Sequence, residues 1–585
     1  GYIVGLQGLH TGELCPAEQS RVRGIWSPER AEQLKDRFDE SGLRFAEQSA
    51  TRVIAIFDSY ADAWVAAKRS ACLRDLGGAE LRASAASSCL DERLEAWGLT
   101  IDLLMSGDDT ELATTVERSI SIAAGLPDLH GCERSGAERS WGPLSRATQR
   151  ALSRLLHRVR ALLRARQLGS AGRVLEGARA QLPVDRDEIE AQLSLVEAEL
   201  ALLLAKSELA TQHLDRVIEL AGSAGLLHLI AEAAVMQAEV EGVLLRNSKA
   251  ARPLLRVARI ALATAQSGPL LRGHLELVQA RVEYSGNHFD AGRRATEAAI
   301  AAFDLAGERG QVKLGEGLQL LAVQAFGAGD YEHARTLALR ALDLQIRLLG
   351  DAHPDLAKTI QVLGALELVA GHGSAAVSHF ERAADLLEES LGADHPNYGQ
   401  ILVNLGNAYV ESEDPGRALV QYQRAQRIFE AALRPEDPRV LGCLINIGGV
   451  QRALGHSQAA ELAFRRVIER SRELADTGDQ SLAMALANLA RVLQDQGRLG
   501  EAEEAHVEAL SIRKSSLGPD HPKTAASYDA LGRFLLESGR PEEGAPLIDA
   551  AFAIRERRLG RGHPDFVRSQ VNRALVWRAR HQLSA

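Results

Sequence analysis

Four Leu-Gly-x-x-His-Pro segments, at Leu349–Pro354, Leu391–Pro396, Leu517–Pro522 and Leu559–Pro564, set His353, His395, His521 and His563 in a regular row. Imidazoles at fixed spacing invite a metal reading. Zinc, however, takes its ligands at about 2 Å, whereas neighbouring helix pairs stack about 10 Å apart. Each histidine also precedes a proline, which disfavours helix before it and suits a helix start after it. The segment therefore reads as a turn that ends one repeat and begins the next. No metal and no other cofactor is expected.

Asn404, Asn446 and Asn488 are evenly spaced, each next to a repeated apolar position. Asparagine is a poor residue for a helix interior, so its recurrence asks for a reason. A side-chain amide both donates and accepts, and a row of them would hold the backbone of an extended peptide whatever its side chains. The competing reading is an amide that bonds within its own stack and positions the next hairpin. Asn407, Arg491 and Arg533 share the position three residues further on, and Arg452 lies close by. Guanidinium groups pair bidentately with carboxylates, which points to a ligand with acidic character. Surface arginines are the alternative, because only eight of the 68 cationic residues are lysine. The expected peptide-binding groove thus comprises Asn404, Asn407, Asn446, Arg452, Asn488, Arg491 and Arg533. Gly-x-Ser-x-Gly, His-Glu-x-x-His, Cys-x-x-Cys and the phosphate-binding loop are all missing, so no catalysis is expected.

Cys15, Cys72, Cys89 and Cys132, four of the five cysteines, crowd into the N-terminal part of the chain. Their spacing does not suit zinc. An even number in one small region points to two disulfides and an oxidising compartment, with four buried free thiols as the alternative. Three pairings exist, and Cys72–Cys89 with Cys15–Cys132 is the one expected. Cys443 reads as a small core residue.

These residues need elements to hold them. Leu321, Leu363, Leu405, Ile447, Leu489 and Leu531 recur at one constant interval, and degenerate turn segments sit at Leu433–Pro438 and Leu474–Gln480. Thirteen residues after each apolar position stands a small one: Ala334, Ala376, Ala418, Ala460, Ala502 and Gly544. Seven later come Ala341, Ala383, Ala425, Val467, Ala509 and Ala551. Helix axes approach to about 8 Å only across small side chains, so each repeat reads as a tight hairpin. A single hairpin cannot bury its own apolar face, and the units must stack. Turns are expected from Gly169 onward, at Lys206-Ser207, Asn247-Ser248, Gly286-Asn287 and Gly329-Asp330, and then once in every repeat. Ahead of the repeats, Ser27-Pro28 reads as a helix start. Phe45, Val53, Phe57, Tyr60, Trp64, Ala67 and Ala71 make one helical stripe, Leu90, Leu94, Trp97, Ile101 and Leu104 a second, and Leu112, Val116, Ile120 and Ala123 a third.

Asn404-Leu405-Gly406, Tyr409, Ala418, Tyr422 and Ala425 resemble the tetratricopeptide pattern, and the 42-residue period with Leu-Gly-x-x-His-Pro resembles its kinesin-light-chain variety. The likeness runs from about Val312 to Pro564 and more loosely back to Ala151. It implies an all-α fold, a right-handed α-solenoid of helical hairpins preceded by a small helical domain, and it places the asparagine row on a concave, peptide-holding groove. The segments 58–65 (DSYADAWV), Ala71-Cys72, 89–94 (CLDERL) and 126–132 (LPDLHGC) are similar to the region after the membrane helix of large bacterial serine/threonine kinases. In that family a kinase domain precedes the membrane helix. This chain has no Gly-rich nucleotide loop, His-Arg-Asp or Asp-Phe-Gly, so the resemblance implies either a fragment or a gene without its kinase domain.

Length and charge bound the rest. A 585-residue chain that is 46% hydrophobic and 4% aromatic suits a long close-packed helical array. A net charge of −10 argues against a general nucleic-acid partner. Residues 1–14 are expected to be either the tail of a membrane helix or a frayed end, and any membrane contact is expected only through a helix upstream of Gly1. The remaining organisation is expected as 15–132 a helical domain, 133–150 a linker, 151–310 irregular repeats, 311–564 regular repeats and 565–585 a capping helix. The expected partner is a protein or extended peptide, bound by the sensor or docking arm of a bacterial membrane-anchored kinase at the periplasmic face. A stand-alone cytoplasmic adaptor without a kinase link is the alternative.

Overall fold

The computed structural model describes residues 18–76, 80–106, 109–127, 146–181, 186–264, 268–286, 288–473, 480–559 and 564–583, with Leu129 and Cys132. The stretch before residue 18, Cys15, most of the expected linker, Asn287, residues 474–479 and His563 lie outside the described residues. All regular elements described are helices. The chain divides into two compact units. The first ends at Ala328 and adds Glu332–Thr359; the second runs from Ile360 onward and adds Gly329–Tyr331.

In the first unit, Ser27 caps the helix Pro28–Asp39 by accepting from the Arg30 amide at 3.4 Å. The long helix Ala46–Leu76 then buries Val53, Phe57, Trp64 and Ala71 against Leu90, Leu94, Trp97 and Ile101 of the helix Glu80–Met105. The Phe57 and Trp97 rings meet edge-on at 6.1 Å, and the Trp64 indole donates to the Leu90 carbonyl at 2.7 Å. A third helix, Asp109–Ala124, buries Leu112, Val116, Ile120 and Ala123. Cys89 is bonded to Cys132, which corrects the expected Cys72–Cys89 and Cys15–Cys132 pairing. Cys72 is likewise disulfide-bonded. Sequence spacing could not choose among the three connectivities, because pairing depends on which helices the core brings side by side.

Helical hairpins follow: Arg146–Arg164 with Leu168–Gln181, Asp187–Leu203 with Ser207–Ser223, Leu227–Glu239 with Ser248–Thr264, Pro269–Ser285 with Phe289–Leu305, and Gln311–Gly327 with Tyr331–Leu349. The first turn is made by Arg166 at φ 60°, and the expected turn residue Gly169 instead lies in the next helix.

The N-terminal helices do not stand apart from these hairpins. Arg154 pairs with Glu95 at 2.6 Å, and Arg164 donates to the Gly125 carbonyl at 3.1 Å. Arg309 donates to the Leu126 carbonyl at 3.2 Å, and Gln48 to Asp351 at 3.2 Å. His353, 2% exposed, closes the set: its Nδ1 accepts from the Asp355 amide at 3.2 Å, so its Nε2 carries the hydrogen and donates to the Glu117 carbonyl at 3.1 Å. Its ring also packs on Phe45 at 5.3 Å. One small domain thus touches the first hairpin and, far along the chain, the turn at His353.

In the second unit the hairpins Pro396–Glu411 with Pro415–Ala432, Pro438–Ala453 with Ser457–Arg472, Gln480–Asp495 with Leu499–Leu517, and Pro522–Glu537 with Pro541–Leu559 stack in sequence, ending in Pro564–Leu583. The small positions do what their spacing requires. Ala418, Ala460, Ala425, Val467 and Ala551 are fully buried. A ring from the second helix lies on a glycine of the first. A Cβ on Gly406 would stand 2.5 Å from the Tyr422 ring, and one on Gly448 2.7 Å from the Phe464 ring. The turn between the two helices needs a left-handed residue, supplied by Gly455 at φ 80° and Gly497 at φ 79°, and at the same register by Glu413 at φ 58°.

Candidate functional site

His395 and His521 begin helices. His395 Nδ1 accepts from the Asn397 amide at 3.1 Å and His521 Nδ1 from the Lys523 amide at 3.0 Å, each with proline at the first helical position. In the degenerate copy, Asp437 does the same for the Arg439 amide at 2.9 Å. An imidazole lone pair spent on a backbone N–H caps one of the unpaired donors at a helix start. His353 makes the same bond, to the Asp355 amide, in the turn ahead of the helix Leu356–Val369, and adds the bond to Glu117, a role that its sequence motif does not reveal.

The first helices of consecutive repeats, Pro396–Glu411, Pro438–Ala453 and Gln480–Asp495, touch one another, which puts them on the inner side of the stack. Asn404, Asn446 and Asn488 lie on them, half-buried. Among the described residues, none of these three amides makes a hydrogen bond. The stack-positioning role therefore has no bond to act through. Asn407 differs: its Oδ1 accepts from the Tyr422 hydroxyl at 2.6 Å, which ties it to its own hairpin.

The arginines divide in the same way. Arg452 grips Asp495 of the next repeat through Nε at 2.6 Å and Nη2 at 3.3 Å. Arg533 reaches Glu537 at 3.4 Å, and Glu537 also accepts from Gln494 of the preceding repeat at 2.6 Å. Arg491, between them, has no ion pair among the described residues. Burial and then the charges of Arg452 and Arg533 pull its pKa below the ordinary arginine value. The structure thus sets three open amides and one open guanidinium on this face, beside two arginines already paired, Arg452 with the next repeat and Arg533 within its own helix.

His506 was not singled out by sequence. It stands at the register of Phe380, Tyr422 and Phe464, one repeat after the last, and that register was the signal available. It is 3% exposed, packs on Phe534 at 5.5 Å, and burial pushes its pKa down to about 4. Cys443 is buried as expected, and burial pushes its thiol up to about 12. Asn572 repeats the asparagine register on the last helix but is buried, donating to Asp529 Oδ2 at 2.7 Å beside the Arg555–Asp529 pair at 2.8 Å.

Hairpins of this geometry and period define a helical-repeat scaffold. Residues 317–389, 363–431 and 481–543 match a tetratricopeptide repeat family model, and residues 524–565 match a second one. Residues 317–431 and 481–565 of the regular part thus match tetratricopeptide repeats. No curated protein matches the chain in sequence. Among solved structures it is similar to BtubC (BKLC) from P. vanneervenii, at 20% identity over 39% of this chain and 92% of that one, with a TM-score of 0.35. The kinesin light chain TPR-like repeats from Podosopora anserina align at 23% identity over 35% of this chain and 97% of that one, with a TM-score of 0.30. The quorum sensor NprR from B. thuringiensis aligns at 13% identity over 62% and 97%, with a TM-score of 0.44. Among the described residues no helix is long and apolar enough to cross a membrane.

Proposed function

We propose that the inner face of the second unit binds an extended, acidic peptide segment of a partner protein, as the docking arm of a bacterial membrane-anchored serine/threonine kinase. The observation that carries the peptide reading is the row of unbonded, half-buried amides at Asn404, Asn446 and Asn488. A polar group half out of water that its own fold leaves unpaired gains from a ligand that pairs it. Preformed helices add little ordering cost to that binding. Arg491, open and flanked by Arg452 and Arg533, supplies the preference for carboxylate. The test is fluorescence polarisation against an array of acidic and neutral twelve-residue peptides, with the parent chain and the Asn404→Ala/Asn446→Ala/Asn488→Ala variant. The variant should bind about tenfold or more weakly, and Arg491→Gln should erase the preference for acidic peptides. Equal binding by parent and triple variant rejects the site.

The Cys89–Cys132 disulfide supports an oxidising compartment, and with it the periplasmic reading over the cytoplasmic adaptor. Alkylating free thiols in intact cells before mass mapping tests this. Cys72, Cys89 and Cys132 blocked as disulfides favour the kinase arm; free thiols at all three overturn it in favour of the adaptor.

A further inference from the structure

The first unit contains a cavity that the peptide reading does not use. It has a volume of about 330 Å3 and lies between the N-terminal helix Asp109–Ala124, which contributes Arg118, and the inner side of the helices from Gln311 to Lys358. That size falls in the range of small-molecule sites. Leu320, Val323 and Leu348 give it an apolar wall, and Val323 stays 36% exposed.

Its charges are not all matched. Arg281 is held by Glu239 at 2.8 Å and Glu316 by Lys313 at 2.9 Å. Among the described residues Arg118 pairs only with Glu117, at 3.4 Å, and its Nε–H is buried without an acceptor. Lys358, on the opposite wall, has no ion pair among the described residues. A buried guanidinium N–H without an acceptor is costly, and a carboxylate is the acceptor whose geometry suits a guanidinium edge.

We propose that this cavity binds a small amphipathic carboxylate, its head between Arg118 and Lys358 and its apolar part on Leu320, Val323 and Leu348. The site borders the His353 contact on both sides. Arg118 follows Glu117, whose carbonyl takes the His353 hydrogen, and Asp355, whose amide caps His353, lines the cavity. A ligand held by both walls stabilises the docked N-terminal domain by mass action. Occupancy and docking are therefore linked.

Octanoate is the probe, with acetate and octylammonium as controls, titrated calorimetrically into the full chain. Octanoate should bind one-to-one, and Arg118→Met or Lys358→Met should each weaken it about tenfold with unchanged far-UV circular dichroism. Arg118→Lys, which keeps the charge but loses the Nε–H, should fall between. Bound octanoate should also slow hydrogen exchange in Asp109–Ala124. No octanoate binding, equal binding by both methionine variants, or octylammonium binding as tightly as octanoate would each overturn the proposal.

Discussion

The two units use one hairpin for two ends. In the first, the protein's own N-terminal domain is tied to the helix Arg146–Arg164 at Arg154 and Arg164 and to the turns at Arg309 and His353. In the second, the corresponding helices present amides and an arginine that the described chain leaves unbonded. Repeat packing fixes how each hairpin stacks and says nothing about what covers the inner side. That side is set by the few residues that do not face the core, so one unit packs against its own N-terminal helices while the other leaves amides unbonded among the described residues.

The largest effect expected is on the self-covered unit. Cys89→Ser/Cys132→Ser opens a loop of 43 residues, and the chain-entropy relation gives a loss of about 4 kcal/mol. Hydrogen exchange should rise across residues 80–127 and stay unchanged beyond Ile360. A uniform rise along the chain would break the division into two units.

Next, His506 should make the second unit sensitive to acid. In the unfolded chain its imidazole takes a proton near pH 6.5, in the fold only near 4. Between these values the unfolded state binds more protons, so the contribution is complete above pH 6.5 and is lost as pH falls through the folded value. The total is about 3 kcal/mol. Ala490→Gly/His506→Phe restores the glycine-and-ring pair of the neighbouring repeats and should flatten this slope in urea midpoints measured from pH 7 to 4. An unchanged slope would clear His506.

The smallest effect sharpens the comparison most, because it sets one motif against itself. His353→Ala should cost about 2 kcal/mol, from the lost bond to the Glu117 carbonyl and the lost ring contact with Phe45. His395→Ala, which removes one exposed cap, should cost about 1 kcal/mol or less. Thermal melts of the two variants read the difference, and equal losses would mean that the His353 contact contributes no more than a cap.

Much of this was legible early. The 42-residue spacing gave the hairpins, the alanine positions gave their close approach, and proline after histidine gave the helix starts. The inner-face asparagines were legible as candidates, because an amide in a helix interior needs a reason. Their lack of partners was not, and neither was the commitment of Asn407 to Tyr422 or of Arg452 to Asp495. Those depend on side chains far apart in sequence meeting at hydrogen-bond distance.

The amino-acid order by itself determined the local matters: helix, turn, cap and the small contacts within each hairpin. These follow from backbone preferences and side-chain volume within a single repeat. Only the tertiary structure decided that Cys89 meets Cys132, that His353 bonds across to Glu117 while His395 does not, and that Arg491 alone of three neighbouring arginines stays open. Such choices depend on how small rotations between successive hairpins accumulate, and no single repeat encodes their sum.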